Sequence, residues 1–242
     1  MKIKQLVLIA MLAAVQLVHA NEAELKKKIE AAYPKFKVES IVKTPYADLY
    51  EVFMGGQIIY TDEKLTFLIA EGHLVDPKTR KDITGERLEE LTKIDFNSLP
   101  LDKAIKVVKG NGSRKIAVFS DVDCPYCKRL ERNELSNIDD VTIYTFLYPL
   151  EQLHPNAAEK SKLIWCAPNR EQAWKDWILN DKLPKSAGNC KVPLEEVGQL
   201  ARKVGVSSTP TLIFSDGKRM MGAQPYNAIE AAMSSATGKK KN

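Results

Sequence analysis

Cys124-Pro125-Tyr126-Cys127 is the stretch of this chain whose residue types and spacing can do chemistry, and it directly follows the apolar run Lys115–Ser120. A strand that runs into a Cys-x-x-Cys helix start places the first sulfur at a helix N-terminus. Unpaired backbone N–H groups and the helix dipole favour a thiolate there. Pro125 suits the first helical position, because its missing N–H has no partner to lose. Cys127 lies one turn on, within reach of Cys124 for a disulfide. The chemistry is thiol–disulfide exchange. A Cys-x-x-Cys pair is also half a zinc site, but that needs a second Cys or His pair at ligand spacing. Cys166 and Cys190 are far apart in the chain and no His-x3–5-His exists. Redox chemistry is therefore preferred, and no metal or cofactor is expected.

The compartment follows from the other end of the chain. Lys2 and Lys4, the apolar run Leu6–Val18 and Val18-His19-Ala20 read as a signal peptide over residues 1–20. Cleavage after Ala20 leaves a mature chain from Asn21. The alternative is a membrane anchor, but the run falls short of the ~20 residues that span a bilayer. Export to an oxidising compartment lets disulfides persist. The simplest pairing is Cys124–Cys127 as the active pair with Cys166–Cys190 as a structural bridge, although four cysteines allow three connectivities. Free core thiols at Cys166 and Cys190 are the competing possibility. The formal charge of +5 is mild, and the two lysines of the leader supply part of it. Lys239-Lys240-Lys241 reads as a solvated tail, so no nucleic-acid partner is expected.

The elements that must position the cysteines fall into two halves. Asn21–Pro34 has the spacing of a short amphipathic helix, followed by strand-like runs Phe36–Val42, Ala47–Met54, Gln57–Tyr60, Leu65–Ala70 and His73–Val75. Gly55-Gly56 signals a hairpin turn. Residues 21–80 thus form a small α+β domain, too small to bury a full core alone. Ile58, Ile59, Phe67, Leu68 and Ile69 in its short strands invite pairing with a second copy. A linker helix lies within 81–100, over Asp82–Asp95, with Thr84 as its cap and Leu88, Leu91 and Ile94 on one face. In residues 101–242 strands and helices alternate: strands Ala104–Val108, Lys115–Ser120, Val141–Leu147, Pro210–Phe214 and Lys218–Met221, with a helix from Cys124 to Leu135. Helices over about 150–204 are inserted after the second core strand, and Pro225–Ser234 closes the chain. This is a thioredoxin-type order. In that order Thr209-Pro210 fits a cis-proline facing the Cys-x-x-Cys helix, which exposes the Thr209 backbone to a substrate strand. An ordinary trans proline opening a strand is the alternative.

Several stretches resemble the bacterial periplasmic disulfide isomerases of the DsbC/DsbG family. They are Phe119–Cys127 at the active site, Leu147–Leu150 with His154-Pro155 and Trp165-Cys166 in the insertion, and Gly205–Pro210 in the proline loop. The resemblance implies a cystatin-like N-terminal dimerisation domain, a linker helix and a thioredoxin-like catalytic domain whose two copies face a cleft. It implies that Cys124 attacks and Cys127 resolves, and that Thr209 and Pro210, with Pro125 and Tyr126, meet the substrate. It also implies a Cys166–Cys190 structural disulfide. Its partners are a second copy of the chain, misfolded disulfide-containing periplasmic proteins and a membrane thiol reductant of the DsbD type. The activity expected is reduction and reshuffling of wrong disulfides, with accompanying chaperone activity. The best-known isomerase has Gly-Tyr between its cysteines, whereas Pro-Tyr occurs in other members, including the DsbG type. Reduction of oxidised single cysteines is therefore an alternative, as is a net dithiol oxidase. A non-redox chaperone is a third, and it alone would tolerate loss of Cys124. His73 and His154 read as packing or surface residues, Trp165, Trp174 and Trp177 as core. Asp121 and Asp123 carry no assigned role.

Overall fold

The computed structural model describes residues 21–238, so the signal-peptide expectation and the lysine tail lie outside the described residues. The chain divides between Thr92 and Lys93 into two compact units.

In the first unit, residues 21–32 form helix α1. A four-stranded antiparallel meander follows: β1 (Val38–Lys43), β2 (Tyr50–Met54), β3 (Gln57–Thr61) and β4 (Leu68–Ile69). The β2–β3 register is closed by Gly55 and Gly56, both at positive φ (61° and 76°). That is the backbone of a two-residue hairpin turn whose twist matches the strands. Alternation along the strands divides the apolar residues between two faces. Val38, Tyr50, Val52 and Ile59 pack under Leu25 and Ile29 of α1. Phe53, Ile58 and Tyr60 pack on the other face, under Leu88 and Leu91 of helix α2 (Ile83–Leu91).

Several expected boundaries move for local reasons. Ala47 and Asp48 sit at positive φ, so the chain turns there and the strand starts only at Tyr50. Leu65 is also left-handed, which cuts the expected Leu65–Ala70 strand to Leu68–Ile69. His73–Val75 contributes only the single bridge Val75–Asp82. Asp82, not Thr84, caps α2: its carboxylate accepts from the Gly85 N–H. Thr84 is buried instead, bonded to the Tyr60 hydroxyl at 2.7 Å and to the Leu74 N–H. The expected linker helix is therefore a helix packed on the first unit's sheet. Ile94 lies beyond its end and is buried with Phe96 and Leu99 in the second unit.

The second unit holds a five-stranded sheet in the order β5-β7-β6-β8-β9. Its strands are β5 (Ile105–Lys109), β6 (Arg114–Ser120), β7 (Val141–Leu147), β8 (Thr211–Phe214) and β9 (Arg219–Met221). β6 runs parallel to β7, and the other pairs are antiparallel. β6 is central, so its apolar run serves both faces. Ile116 and Val118 pack toward helix α7 (Tyr226–Ala236), while Ala117 and Phe119 pack toward α6 (Leu194–Lys203). Phe119 stacks on Phe146 at 5.0 Å. Between β7 and β8 stand α4 (Ala157–Trp165), α5 (Arg170–Asn180) and α6, the inserted helices expected from the sequence. The three tryptophans are core residues, as expected. At the β8–β9 turn Gly217 (φ 86°) is required: a Cβ there would stand 2.3 Å from the Ile94 carbonyl oxygen, in the segment whose Ile94 N–H donates to the Gly217 carbonyl.

Cys166 caps the C-terminus of α4 and is bridged to Cys190, 24 residues on. Closing a loop of that length removes unfolded-state entropy worth about 3 kcal/mol. Replacing both cysteines with alanine is expected to lower stability by about that amount, read as an earlier guanidinium midpoint. An unchanged midpoint would contradict a stabilising role for the bridge.

Candidate active site

Cys124 occupies the N-cap of helix α3 (Pro125–Arg129), with Pro125 at the first helical position. The placement is local in origin. β6 ends at Ser120, the chain turns through Asp121–Cys124 with Cys124 N–H donating to the Asp121 carbonyl, and the helix starts at the proline. The expected helix through Leu135 is not one α-helix. After Arg129 it widens into a π-helical turn, Leu130–Glu134, and then tightens to a 3-10 turn, Leu135–Asn137. One-turn π segments of this kind are frequent beside functional sites.

Both active-site sulfurs are free and buried, Cys124 at 5% exposure and Cys127 at 1%. Tyr126 between them is 60% exposed. The Thr209–Pro210 peptide is cis, as expected, and places the Thr209 carbonyl 3.6 Å from Cys124 Sγ. The proline loop and the Cys-x-x-Cys turn thus meet, although they are 85 residues apart. All the predicted site residues around the thiols converge here, while Cys166 and Cys190 form their bridge within the insertion.

The two thiols are electrostatically unequal. Cys124 is lowered to about 5, first by the Cys127 thiol that hydrogen-bonds it. The N–H groups of Cys127 and Tyr126 and the Thr209 side chain add to this, against the opposing effect of burial. Burial pushes Cys127 far up, and the charge on Cys124 pushes it further. The arrangement holds one outward thiolate in front of one protonated inner thiol, the asymmetry that exchange chemistry requires.

Residues that the sequence reading passed over complete the site. Asp121 is fully buried and accepts from the N–H groups of Asp123 (2.8 Å) and Leu150 (2.6 Å) and from His154 Nδ1 (3.0 Å). His154 is therefore a partner of the active-site turn. Asp123 is paired with Lys160, and Trp177 Nε1 donates to the Val122 carbonyl at 2.7 Å. The available signal was two acids inside an otherwise apolar strand-to-helix turn, which need partners once buried.

Behind the helix, Glu131 on the π turn accepts from Trp174 Nε1 at 3.3 Å in a cavity of about 210 Å³ that Lys109 and Lys175 also line. Burial raises its carboxyl from 4.5 to about 7. A raised folded-state value means this stability contribution is complete below about 4.5 and lost as pH rises through about 7. Glu131→Gln is expected to flatten that part of the stability–pH curve, measured by denaturant titration at several pH values. For the thiols, the alkylation rate of Cys124 in a Cys127→Ser background is expected to stay above that of an ordinary thiol at neutral pH. The wild-type pair should show a thiolate midpoint near 5. A midpoint near ~8.5 would remove the asymmetry argued above.

Comparison with known proteins agrees with this geometry. Residues 101–237 match the thioredoxin-like domain family, and residues 16–85 match the disulfide bond isomerase protein N-terminal domain. The chain is 43% identical over 209 residues to a probable thiol:disulfide interchange protein DsbC of Bordetella parapertussis, covering 86% of this chain and 73% of that one. It is 26% identical over 175 residues to the thiol:disulfide interchange protein DsbC of Escherichia coli K12, covering 71% and 73%. Among solved structures, a disulfide interchange protein from Neisseria gonorrhoeae superposes with a TM-score of 0.55 at 42% identity, over 59% of this chain and all of that one. A Cys-x-x-Cys thiol pair of opposed acidities, a facing cis-proline loop and an isomerase-type N-terminal domain together place this chain in the DsbC family of thiol:disulfide interchange proteins.

Proposed function

We propose that the protein is a periplasmic disulfide isomerase that reduces and reshuffles wrong disulfides in misfolded secreted proteins. The observation that carries the reading is a pair of free thiols at the start of α3, with Cys124 Sγ 3.6 Å from the Thr209 carbonyl, in a chain whose residues 16–85 match the disulfide bond isomerase N-terminal domain. Cys124 thiolate attacks one sulfur of a substrate disulfide. The substrate S–S bond breaks, a Cys124–substrate disulfide forms, and the other substrate sulfur departs as a thiolate. In isomerisation that freed thiolate attacks a second substrate disulfide, the substrate thiolate this releases attacks the substrate sulfur of the mixed disulfide, and Cys124 departs as a thiolate, leaving the substrate with rearranged bonds. In reduction Cys127 gives its proton to the departing substrate sulfur and attacks Cys124. A Cys124–Cys127 disulfide then forms and two electrons have passed to the substrate. A membrane thiol reductant of the DsbD type returns those electrons.

Thr209, Pro210, Pro125 and Tyr126 are assigned to substrate contact. The exposed ring of Tyr126 and the Thr209 backbone beside Cys124 support this. The first unit is assigned to homodimerisation. Ile58 and Ile59 are used up beneath the helices, but Phe67 and Ile69 stay exposed at the β4 edge. An edge strand carries unpaired N–H and C=O groups, and these two exposed apolar side chains beside it offer a second copy a surface to cover. The lowered pKa of Cys124 stabilises its thiolate, favours the reduced pair and so makes its disulfide oxidising, which supports net oxidation as the second reading.

Mature protein is expected to reactivate a scrambled multi-disulfide substrate and to scatter light as a dimer. A protein beginning at Lys93 keeps Ile94, Phe96 and Leu99 in the catalytic unit's core. It should retain reductase activity and lose most isomerase activity. Equal isomerisation by the shortened protein, or a monomeric mature chain, would count against the dimeric isomerase. Thiol trapping in cells separates the readings: a mostly reduced pair fits the isomerase, a mostly oxidised pair the oxidase.

A further inference from the structure

The three residues that lead into Cys124 are each held by a side chain from the inserted helical segment. His154 binds Asp121, Trp177 binds the Val122 carbonyl, and Lys160 binds Asp123. The Lys160 contact is bidentate, at 2.7 and 2.9 Å to the two carboxylate oxygens. Lys160 Nζ also lies 4.8 Å from the centre of the Trp177 ring. The pair is partly sheltered, with the Asp123 side chain 17% exposed and that of Lys160 26%. An ion pair in that setting is screened less than one on the open surface.

Asp123 precedes Cys124 directly, and a bare carboxylate there would oppose a thiolate on its neighbour. The other charged groups around the turn are already engaged. The Asp121 carboxylate accepts three hydrogen bonds, one of them from His154. Lys128, one turn along α3, is paired with Asp181 and lies 4.6 Å from the centre of the same Trp177 ring. Cys127 and the first N–H groups of α3 face the sulfur itself. Among the described residues, Lys160 is the cation in hydrogen-bond contact with Asp123.

We propose that Lys160 is a positioning residue for the exchange reaction: by neutralising Asp123 it protects the Cys124 thiolate, so that the inserted helix α4 sets the reactivity and redox poise of the Cys-x-x-Cys pair. The proposal rests on Cys124 being the attacking thiol. Losing Lys160 leaves one uncompensated negative charge on the residue that adjoins Cys124 in the chain. At an effective dielectric constant of about 20 that moves a neighbouring titration by roughly one pH unit. The dithiol form then loses thiolate stabilisation. The equilibrium with glutathione shifts about tenfold toward the disulfide, or about 30 mV toward a more reducing pair.

The test uses the full mature protein carrying K160M, K160R, D123N or K160M with D123N. Thiolate absorbance against pH and redox equilibrium with glutathione are measured for each. K160M is expected to raise the Cys124 midpoint by about one pH unit and shift the equilibrium about tenfold. K160R should stay near the wild type. D123N alone should lower the midpoint, because Lys160 is then unopposed. The double variant should return close to the wild type, since the charge that needed cancelling is gone. A purely structural clamp would leave the double variant at least as disturbed as K160M. That result, or an unmoved midpoint in K160M, would overturn the proposal. Should K160M fail to fold, a raised midpoint in D123N would overturn it equally. A wild-type Cys124 titrating as an ordinary thiol would instead undermine the attacking-thiol reading itself, so the two failures are distinct.

Discussion

The structure depends on keeping a sulfur anion at the surface of an apolar core. Burial alone opposes a charged thiolate, so every lowering influence must come from donors already aimed at it. The chain provides them at one junction. A central strand ends, an N-cap presents free N–H groups, and a second, inner thiol donates to the outer one. The inner thiol can play that part only because it is buried deeper and holds its proton. The same depth difference leaves Cys124 as the outer sulfur and Cys127 as the inner one.

That junction is short and has few contacts of its own. Its rigidity comes from elements that arrive later in the chain. β8 brings the cis-proline loop across the sheet to face Cys124. The insertion brings His154, Lys160 and Trp177 onto the turn before it. Arg132 on the π turn bonds the Ile178 carbonyl and Asp181 at the end of α5, so the far side of the active-site helix is tied to the insertion as well. The Cys166–Cys190 bridge closes the insertion on itself. An added helical segment has thus become the scaffold of the site rather than a decoration of the fold.

The first unit solves a different problem with few residues. A four-stranded sheet is covered by α1 on one face and α2 on the other, and strand alternation supplies each face with its own apolar set. Its final strand is two residues long, which leaves Phe67 and Ile69 exposed at an edge. Small domains have little interior per residue, and such an edge is where a second surface would complete one.

Much was legible from local sequence. The Cys-x-x-Cys helix start, the Gly55-Gly56 hairpin, the Val141–Leu147 strand and the order of the second unit follow from proline chemistry, turn residues and apolar periodicity, which act within a few residues. Thr209-Pro210 was legible because a proline opening a strand after such a helix has few other places in that order. What stayed hidden depends on partners distant in the chain. Thr84 reads as a cap but is drawn inside by Tyr60, leaving Asp82 to cap. Ile94 shares a helical spacing with Leu88 and Leu91, yet it belongs to the other unit's core. Asp121, Asp123, His154 and Lys160 look like scattered polar residues until folding buries Asp121, partly shelters Asp123 and brings each a donor from 33 or 37 residues away. Local propensity and spacing determined the elements and the reactive pair. Tertiary structure alone decided which charges meet, because a buried carboxylate is tolerable only where the fold delivers its partner.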